Sequence, residues 1–554
     1  MESHRHLRPV TRGAQPPQRL TLMSTMSTAG PGEARERVTS EEADAASASS
    51  KVEALKSTSI IGGATAITMV VRMVRTKVLA VWLGPAGVGL EAMFDAVVVL
   101  VRTLFDLGVS SSGVRQIAAA SASGDPRRIA ITVFTLRRVC VALGIVGALA
   151  LFLGRDIASQ AAFGDTRHAG AIGWISVILF ISGVSAGQGA LLAGMRRIGD
   201  LARMNIIGTV VGALVSIPIV FIWGQDGIPA FMIVGAGVGL LVSWHYARRI
   251  RIASVRMPVS AVLSETRGLV TLGLAFMVSA LIVAGSAFLV RAIVARDYGL
   301  EGAGQFQAAN ALSLVYIGFI LQAMGTDFYP RLTALANDNE KSNHAINEQS
   351  EISLLLALPG ILATLALAPW VMRVFYSEDF VSASDVLAWQ MGGMLLRIVS
   401  WPMGFLMMAK GRGGTFVWTE LVAFSVYLVL AWVGLQWFGL AGVGAAFFGM
   451  YVLYVGLMYV VARRLSGFRW TLAYKRYMTV AVAVGMIVLW MRLQWPEPWA
   501  TVLPCLLAVA AGAHSLFGLV QIVGFDRVGR TLRKLRLAGL VEPLRRFAVR
   551  GDSR

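Results

Sequence analysis

The sequence predicts an all-α polytopic membrane protein of about fourteen transmembrane helices, and three observations carry that reading. Of its 554 residues, 56% are hydrophobic and only 15% are charged. An average soluble chain carries roughly a quarter charged residues, so a water-solvated globular enzyme is a poor fit from the outset. Apolar runs of about 20 residues, enough to span a hydrocarbon core as a helix, recur along the chain. The basic surplus, 50 Lys+Arg against 31 Asp+Glu, sits between those runs, as membrane topology requires and nucleic-acid binding does not.

Taken in order, the runs place helices at 57–83, 89–112, 132–153, 171–193, 202–223, 228–247, 268–294, 305–327, 352–375, 386–409, 416–437, 440–462, 476–493 and 499–523. Before them, residues 1–50 are rich in Arg, Pro, Ser and Ala and bury too little apolar surface to repay ordering. A disordered cytoplasmic extension is expected there. No apolar core with a small-residue cleavage site marks a signal peptide in residues 1–56. Loop charges orient the spans. The alternate segments 113–131, 194–201, 248–267, 410–415 and 463–475 carry basic pairs such as Arg127-Arg128, Arg196-Arg197, Arg248-Arg249 and Arg463-Arg464. The opposite loops hold isolated cations. Lys and Arg stay cytoplasmic, so both termini are expected inside. The tail over 524–554 mixes Leu and Val with Arg, and reads either as an amphipathic surface helix or as a solvated basic segment.

Sliding the chain on itself gives an offset of 215. Ala80–Gly89 aligns with Ala295–Gly304, and Ala247–Ile250 with Ala462–Leu465. Gly113–Ala118 matches Tyr329–Ala334 after a one-residue slip. The first six spans (57–250, the N-lobe) and the next six (268–465, the C-lobe) are therefore read as two copies of one unit. Six is even, so the copies face the same way about a pseudo-two-fold axis along the membrane normal. Such a plan suits alternating access. The spans at 476–523 fall outside it.

A charge at the bilayer centre costs roughly 2.5–3.5 kcal/mol, so it is expected to face protein or a wet cavity. At 100° per residue, Thr58, Thr65, Thr68, Arg72, Arg75 and Thr76 share a stripe about 100° wide, with Lys77 nearly opposite Arg75. Glu91, Asp95, Arg102 and Asp106 fall within about 60° on the next span. Arg291 lies beside the position aligned with Arg75, Asn310 aligns with Asp95, and Arg397 sits mid-span with Gln390, Gly393 and Ser400. Arg72, Arg75, Arg102, Arg291 and Arg397 are thus expected to line a hydrated cavity, where guanidinium forks suit phosphate oxygens. The competing structural reading pairs Arg102 with Asp95 or Asp106. Glu91, Asp95 and Asp106 either balance charge or carry a coupling proton or sodium ion. Two cysteines, Cys140 and Cys505, and six scattered histidines offer no disulfide framework and no metal set. No cofactor and no catalytic residue is expected. The glycines over Gly84–Gly89 lack the strand and the Lys-Ser/Thr of a phosphate loop, and read as a tight turn between helices.

The stretch from Ser59 through Arg75, Lys77, Gly84, Pro85, Gly87 and Gly89, continued by Gly108, Gly113 and Arg115, resembles the opening of the Wzx-type O-antigen translocases. The resemblance implies the multidrug/oligosaccharidyl-lipid/polysaccharide exporter fold. It also implies flipping of an undecaprenyl-pyrophosphate-linked oligosaccharide across the bacterial inner membrane, from the cytoplasmic to the periplasmic leaflet. By motif position it places Arg75, with Lys77 as a second candidate, among the cationic lumen residues. Membrane lipids, a glycan polymerase and a chain-length regulator are the partners it implies. Helices beyond the twelfth and the long N-terminal extension depart from many members. Other readings are a lipid II flippase or a multidrug/organic-cation antiporter of the same fold. The latter wants anionic residues in its cavity, and the first span here has none. An enzyme is disfavoured, because the longest outer loop, 154–170, is too short for the catalytic carboxylates such enzymes hold there.

Overall fold

The computed structural model describes the backbone of residues 31–252, 259–496 and 498–523. The chain divides into two units, Met1–Gly62 and Gly63–Arg554, and the helical bundle belongs to the second. Of the expected extension, residues 1–30 lie outside the described residues, and backbone is described as helical from Pro31. The basic tail over 524–554 also lies outside them.

The described chain is helical, with no strand. In order its helices are α1 (Pro31–Asp106), α2 (Val109–Ala122), α3 (Pro126–Leu153), α4 (Arg155–Phe163), α5 (Ala169–Ile175), α6 (Val177–Gly194), α7 (Ile198–Trp223) and α8 (Ile228–Ala247). Then come α9 (Val259–Ala334), α10 (Asn339–Ala366), α11 (Ala368–Phe375), α12 (Ser384–Ala409), α13 (Gly413–Phe438), α14 (Leu440–Ser466), α15 (Leu472–Gln494) and α16 (Trp499–Val523). Among the described residues, ten helical stretches are long and apolar enough to cross a membrane. Two of these, Ile198–Ala247 and Phe276–Val315, run 50 and 40 residues, enough for two passes of a core about 30 Å thick. The first two expected spans are absent from the ten. Arg72, Arg75, Lys77, Glu91, Asp95, Arg102 and Asp106 dilute their hydropathy.

Helix α1 doubles back on itself. Gly84 adopts φ 65°, ψ −170°, a region open essentially to glycine alone. Arg75 and Glu91 then meet at 3.0 Å, whereas sixteen residues of straight helix would separate them by about 24 Å. Helix α9 repeats the device at Gly299, with φ 66° and ψ −171°, which brings Arg291 Nε within 2.9 Å of Gln307 Oε1. A second pair recurs at the same spacing: Gly224 (φ 57°, ψ −136°) opens the α7–α8 connection and Gly439 (φ 62°, ψ −151°) the α13–α14 connection. Both glycine pairs stand 215 residues apart, the offset at which the sequence aligns with itself.

The two bends touch. A Cβ on Gly89 would lie 1.9 Å from the Leu300 carbonyl oxygen, and one on Gly304 would lie 1.9 Å from that of Pro85. Each contact is the other displaced by one repeat. At the opposite end of the helices, α1 breaks at Leu107 and Gly108, both at positive φ. Gly108 and Gly273 approach backbone to backbone there, and Ser112 Oγ donates to the Leu269 carbonyl at 2.8 Å. Most of the loop expected over 113–131 is instead α2. Its polar residues spread along a short amphipathic helix, so hydropathy alone hides it. Likewise much of the expected 154–170 loop is α4. Helix α12 is the most enclosed, packed among α9, α10 and α14, while α15 and α16 pack against α10. Pro359 and Pro402 lie inside α10 and α12.

Candidate binding chamber

A cavity of about 750 Å³ opens among α1, α6, α7 and α8. Arg72 and Arg75 line it from the first limb of α1, and Glu91, Asp95 and Arg102 from the second. The stripes read from the helical wheel thus share one space. Its charge is set by pairing. Arg75 is spoken for: besides its bond to Glu91 it lies 4.9 Å over the Phe231 ring, a geometry that adds cation–π attraction. Arg72 and Arg102 make no hydrogen bond or ion pair among the described residues. Three arginines face two carboxylates, and the two unpaired guanidinium groups are the cavity's free cations. The expected alternative, in which Arg102 is locked by Asp95 or Asp106, does not occur. Asp106 accepts from Ser110 Oγ instead, one helical turn on and across the break at Gly108.

The rest of the lining is neutral and polar. Ser182 and Ser185 come from α6, Asn205 and Thr209 from α7, and Ser243 from α8. Gly208 and Gly212 on α7, with Gly235 and Gly239 on α8, keep this wall low. Composition gave no signal for these residues. Their i, i+3/i+4 spacing on each helix did, because it puts them on single faces.

Three expected members sit elsewhere. Arg291 is held by Gln307, and only Gln307 is among the lining residues. Arg397 does not reach the cavity. Its guanidinium lies 5.1 Å from the Trp401 ring and 6.0 Å from that of Tyr451. The face shared by Gln390, Gly393 and Arg397 packs on α14, where a Cβ on Gly393 would lie 2.5 Å from Phe447. A wheel gives the face of a helix and not the helix it meets. Lys77, the second lumen candidate, instead donates to the Val374 carbonyl at the end of α11. Arg296 on α9, which is not the repeat counterpart of Lys77, likewise reaches the carbonyls of Gln160 and Ala161 at 3.1 and 2.9 Å at the end of α4. Cations suit helix C-termini, whose last carbonyls lack intrahelical partners. Asp106 lines an adjoining pocket of about 330 Å³ that shares Arg102 and Ser182 with the cavity.

A bundle of membrane-length helices around an internal polar chamber with two unpaired guanidinium groups defines the class as a multi-pass membrane transport protein. Solved structures support this at the level of fold. The lipid II flippase MurJ in an inward closed conformation matches with a TM-score of 0.62 at 14% identity, over 83% of this chain and 98% of that one. An inward-facing multidrug resistance MATE family transporter of the MOP superfamily matches with a TM-score of 0.61 at 16% identity, over 74% and 96%. The model of the polysaccharide biosynthesis protein family matches residues 78–385, more than half of the chain, and the chain belongs to that family. Among its curated relatives is the lipid III flippase of Escherichia coli strain K12, 24% identical over 399 residues, which cover 69% of this chain and 91% of the relative.

Proposed function

We propose that this protein is a flippase of the bacterial inner membrane, and a carrier rather than an enzyme. Its cargo in this reading is an undecaprenyl-pyrophosphate-linked oligosaccharide repeat unit, of the O-antigen or exopolysaccharide kind, moved from the cytoplasmic to the periplasmic leaflet by alternating access. The observation that carries the reading is the polar chamber with two unpaired arginines, Arg72 and Arg102. Phosphate oxygens accept from both guanidinium groups, while Ser182, Asn205 and Thr209 offer hydroxyl and amide partners to sugar. An organic-cation carrier would need the opposite charge balance.

The internal repeat supports two six-helix lobes that rock about a pseudo-two-fold axis, with α15 and α16 as an added pair and fourteen spans in all. The end at Gly84 and Gly299 is then periplasmic, both termini are cytoplasmic, and the contact of Gly89 with Gly304 closes the periplasmic side. Asp95 is the carboxylate best placed to carry a coupling proton or sodium ion, since Glu91 is paired with Arg75 and Asp106 accepts from Ser110. Depletion of the protein, followed by sided enzymatic labelling of lipid-linked glycan, tests the function. The repeat unit is expected to accumulate on the cytoplasmic leaflet. Accumulation on the periplasmic leaflet, or no accumulation, overturns it.

A further inference from the structure

Side chambers open from two flanks of the arginine-lined cavity. The larger, of about 750 Å³, lies between the first limb of α1 and the second limb of α9, and Arg72 lines both it and the cavity. On the other flank, between the second limb of α1 and the first limb of α9, lie the Arg102 pocket of about 330 Å³ and a further pocket of about 270 Å³. Phe105 belongs to both of these. It rests on Gly147, where a Cβ would lie 3.1 Å from that of Phe105.

The linings of the two flanks correspond. Val97, Leu100 and Ala161 of the far pocket stand one repeat before Leu312, Val315 and Tyr376 of the large chamber, and Phe288 stands one repeat after Met73. The same fold device has been built twice, and each copy meets the cavity at an unpaired arginine. Those arginines are not themselves one repeat apart, so the cation on the second flank is a separate feature of the chain.

The far pocket has no polar side chain in its lining. Its stripe on α1 runs from Val97 to Phe105, about 12 Å at 1.5 Å per residue. On the other side of Phe105 the lining is mixed, with Arg102, Asp106, Ser110 and Ser111 facing Leu143, Leu179 and Phe276. Such a sequence of surfaces fits a ligand with an anionic end and one hydrocarbon chain. Lipid tails are as apolar as leucine, so the slot gains little from the hydrophobic effect alone. Selectivity must come from the charge at Arg102, which lies five residues, about 8 Å along the helix, from the break at Leu107.

We propose that this second flank is a lipid site in its own right, which takes the tail of a phosphorylated polyprenyl lipid beyond Phe105 with the phosphate on Arg102. The proposal rests on the flippase reading and adds a second place for the carrier lipid. Its test uses the full-length protein in nanodiscs of phosphatidylethanolamine and phosphatidylglycerol, with a C55 polyprenyl phosphate that carries a diazirine in its tail. Photolabelled peptides are mapped by mass spectrometry for wild type, Arg102→Gln and Ala158→Trp, with thermal melting as a check on folding. Label is expected on Val97–Phe105 and Arg155–Phe163. It should fall at least fivefold in each variant and be chased by unlabelled polyprenyl phosphate but not by added phosphatidylglycerol. Equal chase by phosphatidylglycerol, or label indifferent to Arg102→Gln, overturns the site as an ordinary lipid crevice. Label confined to Thr65–Thr76 and Ala311–Gln322 overturns it while leaving the flippase reading intact. No specific label anywhere overturns both.

Discussion

Arg75→Ala is expected to damage the protein more than Arg75→Ala combined with Glu91→Gln. Arg75 and Glu91 form an ion pair at 3.0 Å with side chains 32% and 18% exposed. Removal of the arginine leaves a carboxylate in the bundle with its main counter-charge gone. For a fully buried pair that loss is about 3–5 kcal/mol; partial solvation here reduces it to roughly 1–3 kcal/mol. Replacing the carboxylate by an amide removes the stranded charge, and Gln307 already holds Arg291 in the corresponding place without one. Melting temperature in detergent should therefore drop by several degrees in the single variant and recover in the double. Glycan export should follow stability in this pair of variants. If the double variant is as stable as wild type yet inert, Arg75 binds cargo directly and the pairing account is wrong.

Gly89→Val should abolish transport with near-normal insertion. A Cβ at this position would overlap the Leu300 carbonyl at 1.9 Å. Backbone cannot give way as a flexible side chain does, so the bends at Gly84 and Gly299 could no longer meet. Gly304→Val has the same consequence through Pro85. In the proposed orientation this end is periplasmic, and a carrier unable to close it should lose at least tenfold in export rate. It should also expose Thr68→Cys, which lines the chamber, to a membrane-impermeant maleimide added from outside. Wild-type export and unchanged labelling would mean that the glycine contact is not a gate.

Much of the fold was legible because membrane helices declare themselves by length and hydropathy. The first two expected spans, unusually polar among the runs read from the sequence, fall on the two limbs of α1 either side of Gly84. Their charge stripes located most of the chamber: Arg72, Arg75, Glu91, Asp95 and Arg102 do share one cavity. What the wheel could not supply was the identity of the neighbour. Arg397 has a polar face, but α14 covers it with Tyr451. Lys77 was judged to point away from Arg75, yet its partner, a carbonyl nearly three hundred residues on, is a tertiary fact. Helices α2 and α4 escaped for a different reason: they are short and polar enough to pass for loops. The roles of Gln307 and of the glycine wall on α7 and α8 depend on close approach, which composition does not encode.

Binding of undecaprenyl diphosphate to the purified protein, measured for wild type and for Arg72→Ala/Arg102→Ala, tests the central claim most directly. Hydrogen bonds to charged groups contribute about 1.5–3 kcal/mol each. Loss of both free guanidinium groups should thus weaken binding by at least tenfold, and inorganic pyrophosphate should compete in the wild type. Equal affinity in the two proteins would contradict the account, because the chamber's unpaired guanidinium groups would then have no part in holding a phosphorylated head.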